Sequence, residues 1–336
     1  MALHPVIQVA LAAGAGQLPY SAMPIGEARA QAMLPYLGRQ QTVAVGHVHN
    51  LVVPNPQASI PVRVYCPFGP GPHPVLVFFH GSGFVVLGLD SHDDLCRRLC
   101  VGANCVVVSV DYRLAPENKF PAAPDDCLAA TRWVAAHAAA WGGDAARLAL
   151  AGDSAGACLA AVTAMRLRDE GGPAVAAQVL FYPVTNHPTP APASYAQFGS
   201  GYGLTAQGMC WFWEQYLATP ADAADPRASP LRMPSCAGLP PAFVMVAEFD
   251  VLRDEGEAFA TRLAEAGVPV RASRAAGMNH GFLKYADAIA LVAQAIDDAC
   301  AWLAAQWERE AVPPAASPQA RPVGVVPQSA RPTHSA

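Results

Sequence analysis

The sequence predicts an α/β fold, on two observations. Short, uninterrupted apolar runs recur along most of the chain, and longer stretches of helical character separate them. Strands sheathed by helices on both faces need apolar side chains on each face, so they read as continuous runs rather than alternating ones. The length of 336 residues is enough to enclose a sizeable core.

Residues 1 to about 45 read as mixed helix and loop ahead of the first strand. Strands are expected over 62–66, 75–79, 105–110, 148–151, 179–182, 243–247 and 270–273, with helices over 91–101, 124–137, 155–169, 253–266 and 286–307. Ser91 is placed to cap its helix, with Asp93 and Asp94 in the first turn, where carboxylates favour the positive end of the dipole. Gly267, followed by Val268 and Pro269, stops the helix that begins at Arg253. Two segments break the alternation: the N-terminal 45 residues and residues 184–241, where Pro-rich loops surround an aromatic helix. A sheet needs neither, so both are candidates to cover something. Residues 311–336 hold six prolines in 26 positions and almost no large apolar group, and are expected to be a disordered tail.

Composition narrows the function. Charged residues are 14% and hydrophobic residues 53%, which excludes a chain too polar to fold. A net charge of −5 without basic blocks argues against nucleic-acid binding. No run of about 18 strongly apolar residues is present, so no membrane-spanning helix is expected. The apolar stretch 6–15 lacks the basic residues that begin a secretory signal. Nine scattered cysteines, without a C-x-x-C pair, read as reduced and mostly buried thiols. A cytoplasmic protein is the expectation.

Gly152-Asp153-Ser154-Ala155-Gly156 is a G-x-S-x-G pentapeptide that follows an apolar run and opens a helix. That strand–turn–helix context gives the motif meaning: glycines permit the sharp turn that exposes the serine hydroxyl. A serine needs a base, and the base needs a carboxylate to fix its tautomer. In this fold type the chain order is serine, acid, histidine. His187 lies in a Pro-rich loop and His334 in the tail, leaving His280, in a loop between the last strand and the last helix. Asp250, just past a strand end, is the candidate acid, with Glu248 and Asp254 as rivals and a helix cap as its alternative role. His80-Gly81-Ser82-Gly83-Phe84 follows another strand and is the glycine turn expected to supply oxyanion donors, from the N–H groups of Ser82 and Gly83, together with Ala155.

Five motifs in order, Phe78 to Phe84, Asp111-Tyr112-Arg113-Leu114-Ala115-Pro116-Glu117, Gly152 to Gly156, Asp250 to Gly256, and His280-Gly281-Phe282, resemble the hormone-sensitive-lipase family of α/β-hydrolase esterases. The resemblance covers residues 75–285 and implies an α/β-hydrolase fold, with a mostly parallel central sheet flanked by helices. It implies a catalytic domain over 46–310 and a helical cap built from residues 1–45 and an insertion at about 195–220. It also implies carboxylic-ester hydrolysis by Ser154, His280 and Asp250 without metal or cofactor, a small-molecule ester as partner, and possible homodimers. Two departures stand out: Ser82 replaces the middle glycine of the family's usual His-Gly-Gly-Gly turn, and Val251 replaces the usual proline after the acid. A non-glycine at positive φ would cost about 1–2 kcal/mol, so either Ser82 takes an ordinary φ or the turn is altered.

Arg113 and Glu117, four apart, are expected to brace a loop, and Asp153 to be structural rather than catalytic. The aromatic stripe Phe198, Tyr202, Trp211, Phe212, Trp213 and Tyr216 reads as a cap helix with a core-facing side. Phe84, Tyr182, Trp211 and Phe282 are the candidate pocket lining, suited to short or medium acyl chains. An amidase or lactonase would use the same groups, but an alcohol leaves more readily than an amine. A non-catalytic receptor on this fold would be expected to lack Ser154 or His280, and both are present. An interaction role for the tail would be compatible with catalysis.

Overall fold

The computed structural model describes residues 2–39 and 41–311; the expected tail lies, but for its first residue, outside the described residues. Eight strands form one sheet: β1 (His47–Val53), β2 (Ile60–Cys66), β3 (His73–Phe79), β4 (Val106–Val110), β5 (Gly143–Asp153), β6 (Ala177–Phe181), β7 (Ala242–Phe249) and β8 (Val270–Asn279). Their spatial order is β1-β2-β4-β3-β5-β6-β7-β8. β2 is antiparallel to both β1 and β4, and every other pair is parallel.

The helices are α1 (Pro5–Ala13), α2 (Ile25–Met33), α3 (Asp93–Gly102), α4 (Ala122–His137), α5 (Ala155–Glu170), α6 (Ala193–Phe198), α7 (Ala206–Tyr216), α8 (Arg253–Glu265) and α9 (Ala290–Ala311). Along β3 the side chains divide between two cores. Val75, Val77 and Phe79 join the layer containing α4, α5 and α8, while Leu76 and Phe78 join the layer containing α3 and α9. This two-sided burial is the reason the central strands read as unbroken apolar runs.

All seven expected strands are present. The eighth, β1, escaped the reading because it is an edge strand paired only with β2 and largely exposed, so it carries no apolar run. β8 extends six residues past its expected end; its exposed middle hides the continuation, and its last residues, Met278 and Asn279, are buried. Ser91 is not the cap of α3. A 3-10 turn, Leu89–His92, precedes that helix, and the Ser91 hydroxyl is spent on the Gly88 carbonyl and on His92. Asp93 and Asp94 do occupy the first turn of α3, where they pair with Arg97 and Arg98 one turn on. Gly267, at φ 81°, ends α8 as expected.

Eight of the nine cysteines are buried and all are free; Cys210 is exposed. No helix among the described residues is long and apolar enough to cross a membrane.

Candidate active site

β3 and β5 are neighbours, with Phe79 opposite Gly152, so the turns that follow them emerge side by side at the carboxyl edge of the sheet. Two strands away, Phe249 of β7 pairs with Asn279 of β8, which brings the next residues, Asp250 and His280, together. The sheet thus brings together Ser154 and His280, which lie 126 positions apart in sequence.

Ser154 sits between β5 and α5 at φ 55°, ψ −122°, a sparsely populated conformation for a residue with a side chain. Sterics enforce the turn. A Cβ on Gly152 would collide with the Gly156 backbone, and a Cβ on Gly156 would collide with the Phe79 carbonyl. Only glycines let α5 press against the end of β3 this closely. Backbone bonds from Ser154 N–H to Phe181 O (2.9 Å) and from Val184 N–H to Ser154 O (3.2 Å) fasten the turn to β6 and the loop after it.

The Ser154 hydroxyl lies 2.9 Å from His280 Nε2, and His280 Nδ1 lies 2.7 Å from Asp250 Oδ2. The Asp250 side chain is fully buried, and its other oxygen accepts the Leu252 N–H at 3.0 Å, so neither carboxylate oxygen is left without a partner. The helix-cap alternative for Asp250 does not hold: α8 begins at Arg253 with Leu252 at its cap position. The rival acids are engaged elsewhere, Glu248 with the Gly277 N–H and Asp254 with the Ser194 N–H. His187 packs its ring against Trp213. His334 lies outside the described residues.

Beside Ser154, the turn after β3 places positive φ on Gly83 (54°) and Phe84 (66°), and not on Ser82. The serine in place of the middle glycine therefore carries no left-handed strain. Among the described residues the N–H groups of Ser82 and Gly83 have no hydrogen-bond acceptor. Ala155 is the first residue of α5, and a helix leaves its first N–H groups without intrahelical partners.

Asp153 couples the two turns. It accepts the Gly81 N–H at 2.7 Å and lies 3.0 Å from His92 Nε2, with the Tyr182 hydroxyl at 3.3 Å. Burial alone would raise its carboxyl, but the His92 imidazole and the Gly81 N–H outweigh burial and hold it below the usual carboxylate range. Glycine is required at Gly81 because a Cβ there would strike this carboxylate.

The four candidate pocket residues are all buried. Phe84 is buried against Tyr216, with ring centroids 3.8 Å apart. Tyr182 packs edge-to-face with His280, ring centroids 4.9 Å apart, and with Phe282 at 5.3 Å. Trp211 packs with Tyr20 and Phe212. Phe212, named only within the aromatic stripe, lies directly on Gly83: a Cβ at that glycine would overlap its ring. His92 and Tyr20 carried no sequence signal, because their partners lie far along the chain. Arg113 and Glu117 do brace loops, but separately: Arg113 pairs with Asp126 at 2.7 Å and Glu117 with Arg29 of α2 at 2.6 Å. Arg29 also donates to the carbonyls of Val85 (2.9 Å) and Ala115 (3.1 Å), fastening the N-terminal segment to the turn after β3. Among the described residues no group of three or more His, Cys, Asp or Glu side chains is arranged to hold a metal ion.

A family model described as alpha/beta hydrolase fold matches residues 76–284. The chain belongs to the α/β-hydrolase family. This hydrolase is 46% identical over 242 residues to the carboxylic ester hydrolase LipN of Mycobacterium tuberculosis, a match covering 70% of this chain and 64% of LipN. It is 44% identical over 232 residues to an ethyl acetate hydrolase of Pseudomonas putida, covering 67% of this chain and 72% of that protein. Its structure aligns with a hyperthermophilic esterase of the archaeon Pyrobaculum calidifontis at a TM-score of 0.85 and 38% identity, covering 91% of this chain and 99% of that one. It is a carboxylesterase-like hydrolase, and the resemblance to the hormone-sensitive-lipase esterases stands.

Proposed function

We propose that this hydrolase cleaves carboxylic esters of short- to medium-chain acids through an acyl-enzyme on Ser154. The observation that carries the reading is the continuous series Ser154–His280–Asp250, with hydrogen-bond distances of 2.9 and 2.7 Å, beside a turn with unengaged N–H groups. His280 Nε2 takes the Ser154 proton as Oγ bonds to the ester carbonyl carbon. The carbonyl oxygen, now negative, accepts from the N–H groups of Ser82, Gly83 and Ala155. Collapse breaks the bond to the alcohol oxygen, which leaves with the proton from His280. Water repeats the sequence on the acyl-enzyme, and the acid departs. Asp250 fixes the imidazole tautomer and stabilises the imidazolium.

Helices α1, α2, α6 and α7 act as a cap in this reading. Its support is the Arg29 ties to the turn after β3 and the packing of Tyr20 on Trp211 and Phe212, with ring centroids 6.0 and 5.9 Å apart. Phe212 on Gly83 restricts the space beside the oxyanion donors, which favours short acyl chains.

Hydrolysis of p-nitrophenyl acetate, butyrate, octanoate and palmitate, beside Ser154→Ala, tests the proposal. The expected result is activity concentrated on the shorter esters and abolished in the variant. Turnover in Ser154→Ala equal to wild type would overturn the mechanism. Faster hydrolysis of emulsified long-chain fat than of soluble short esters would overturn the substrate range.

A further inference from the structure

The serine that replaces a glycine in the turn after β3 has its hydroxyl fully engaged. Ser82 Oγ accepts the Phe84 N–H at 2.7 Å and lies 2.6 Å from the Tyr112 hydroxyl, which in turn lies 2.6 Å from the His80 carbonyl oxygen. Counting protons fixes the direction of this series. The His80 carbonyl only accepts, so the single Tyr112 proton goes to it. The Ser82 proton must then go to Tyr112, and the remaining acceptor capacity of Ser82 serves Phe84. Each hydroxyl donates once and accepts once, and both side chains are buried.

The series holds the turn at three successive points: the His80 carbonyl, the Ser82 side chain and the Phe84 N–H. The peptide between His80 and Gly81 is gripped at both ends, its carbonyl by Tyr112 and its N–H by Asp153, the residue before the candidate nucleophile. Tyr112 is itself fixed by stacking on His80, with ring centroids 4.4 Å apart and planes 12° from parallel. The Phe84 N–H is consumed by Ser82, so the unengaged donors of the turn are Ser82 and Gly83 alone.

We propose that Ser82 and Tyr112 are positioning residues: their paired hydroxyls fix the orientation of the Ser82 and Gly83 N–H groups toward the oxyanion before substrate arrives. The inference rests on the ester-hydrolase reading above. It assigns Ser82 a part beyond its backbone donor, and it makes Tyr112, 30 residues downstream, part of the same device. A donor prealigned in a site that excludes water needs no reorganisation at the moment charge develops, so misalignment reduces kcat rather than substrate binding.

The test compares wild type with Ser82→Ala, Tyr112→Phe and the double variant on p-nitrophenyl butyrate, with Ser154→Ala as control. The binding of an alkyl boronic acid, which forms a tetrahedral anionic adduct, is measured in parallel. Each single variant should lower kcat about 10- to 100-fold, short of the loss from deleting an oxyanion donor outright. KM should stay within about twofold, because only transition-state binding is lost. Boronate affinity should fall in step with kcat, and the double variant should lose little more than either single one, because both disrupt one series. Wild-type kcat and boronate affinity in Tyr112→Phe would overturn the inference, as would lowered thermal stability with both unchanged. Tyr112→Phe keeps the ring and its stacking, so the test stands even where Ser82→Ala folds poorly. Full activity in Ser154→Ala would instead sink the ester-hydrolase reading beneath it, so the two failures are distinguishable.

Discussion

The turns at Ser154 and at Ser82 are both glycine-bearing bends at the ends of adjacent parallel strands, yet they are held by different means. The bend at Ser154 is enforced by contact: Gly152 and Gly156 leave no room for a Cβ, so the backbone has one way to go. The bend at Ser82 is held by polar side chains from elsewhere in the chain, Tyr112 and Asp153, and is covered by Phe212. A bend made by sterics marks its own five residues with glycines, even where the surface they clear, such as the Phe79 carbonyl, belongs to another strand. One made by hydrogen bonds depends on residues 30 to 72 positions away.

Perturbing the two sides should separate them. The largest effect is expected from Asp250→Asn, which keeps the fold but presents an amide to His280. A steady-state assay should find kcat lower by about 10,000-fold with little change in the unfolding midpoint. Next, Gly156→Ala should cost more than about 4 kcal/mol in urea unfolding, since its Cβ meets backbone at the end of β3, which cannot give way as a side chain can. A loss under about 1 kcal/mol would mean that sterics do not define the nucleophile bend.

On the oxyanion side, Phe212→Ala should leave hydrolysis of acetate esters nearly unchanged. It should raise kcat/KM for octanoate relative to acetate about tenfold, as removal of the ring opens space beside Gly83. An unaltered chain-length profile would remove Phe212 from the account of specificity.

The smallest effect concerns Glu255, which accepts the N–H groups of Thr185 (2.8 Å) and Asn186 (3.3 Å) and so holds the loop after β6 to α8. Burial pushes its carboxyl from 4.5 up to about 8; those two N–H groups oppose the rise, and the charge of Asp250 adds to it. The folded value is raised, so the folded chain holds a proton that the unfolded chain releases. Its stability contribution is complete below the unfolded value and is lost as pH rises through about 8. Wild-type Tm should therefore decline between pH 5 and pH 8.5, values chosen to bracket that shift, by a few degrees more than the Tm of Glu255→Gln. Parallel pH profiles would refute this.

What could be read from the sequence follows the same division. The central strands and the G-x-S-x-G turn were legible because their requirements are local: burial on both faces, or space for a helix against a strand end. Chain order pointed to Asp250 and His280, and the structure places both at hydrogen-bonding distance in series with Ser154. β1 was illegible because an exposed edge strand has no apolar pattern to keep. The part given to Ser91 was misjudged because a 3-10 turn, Leu89–His92, precedes α3 and takes up its hydroxyl. The hydroxyl of Ser82, a departure from the family pattern in sequence, has its partner in Tyr112, 30 positions on.

The most direct test of the central claim is the first turnover of p-nitrophenyl butyrate by concentrated protein in a stopped-flow instrument, followed by intact mass after acid quench. An acyl-enzyme on Ser154 predicts a burst of p-nitrophenolate that does not exceed the protein concentration, a butyryl adduct on the peptide containing Ser154, and neither signal in Ser154→Ala. Turnover at the wild-type rate in Ser154→Ala, or an adduct on any other residue, would contradict the account.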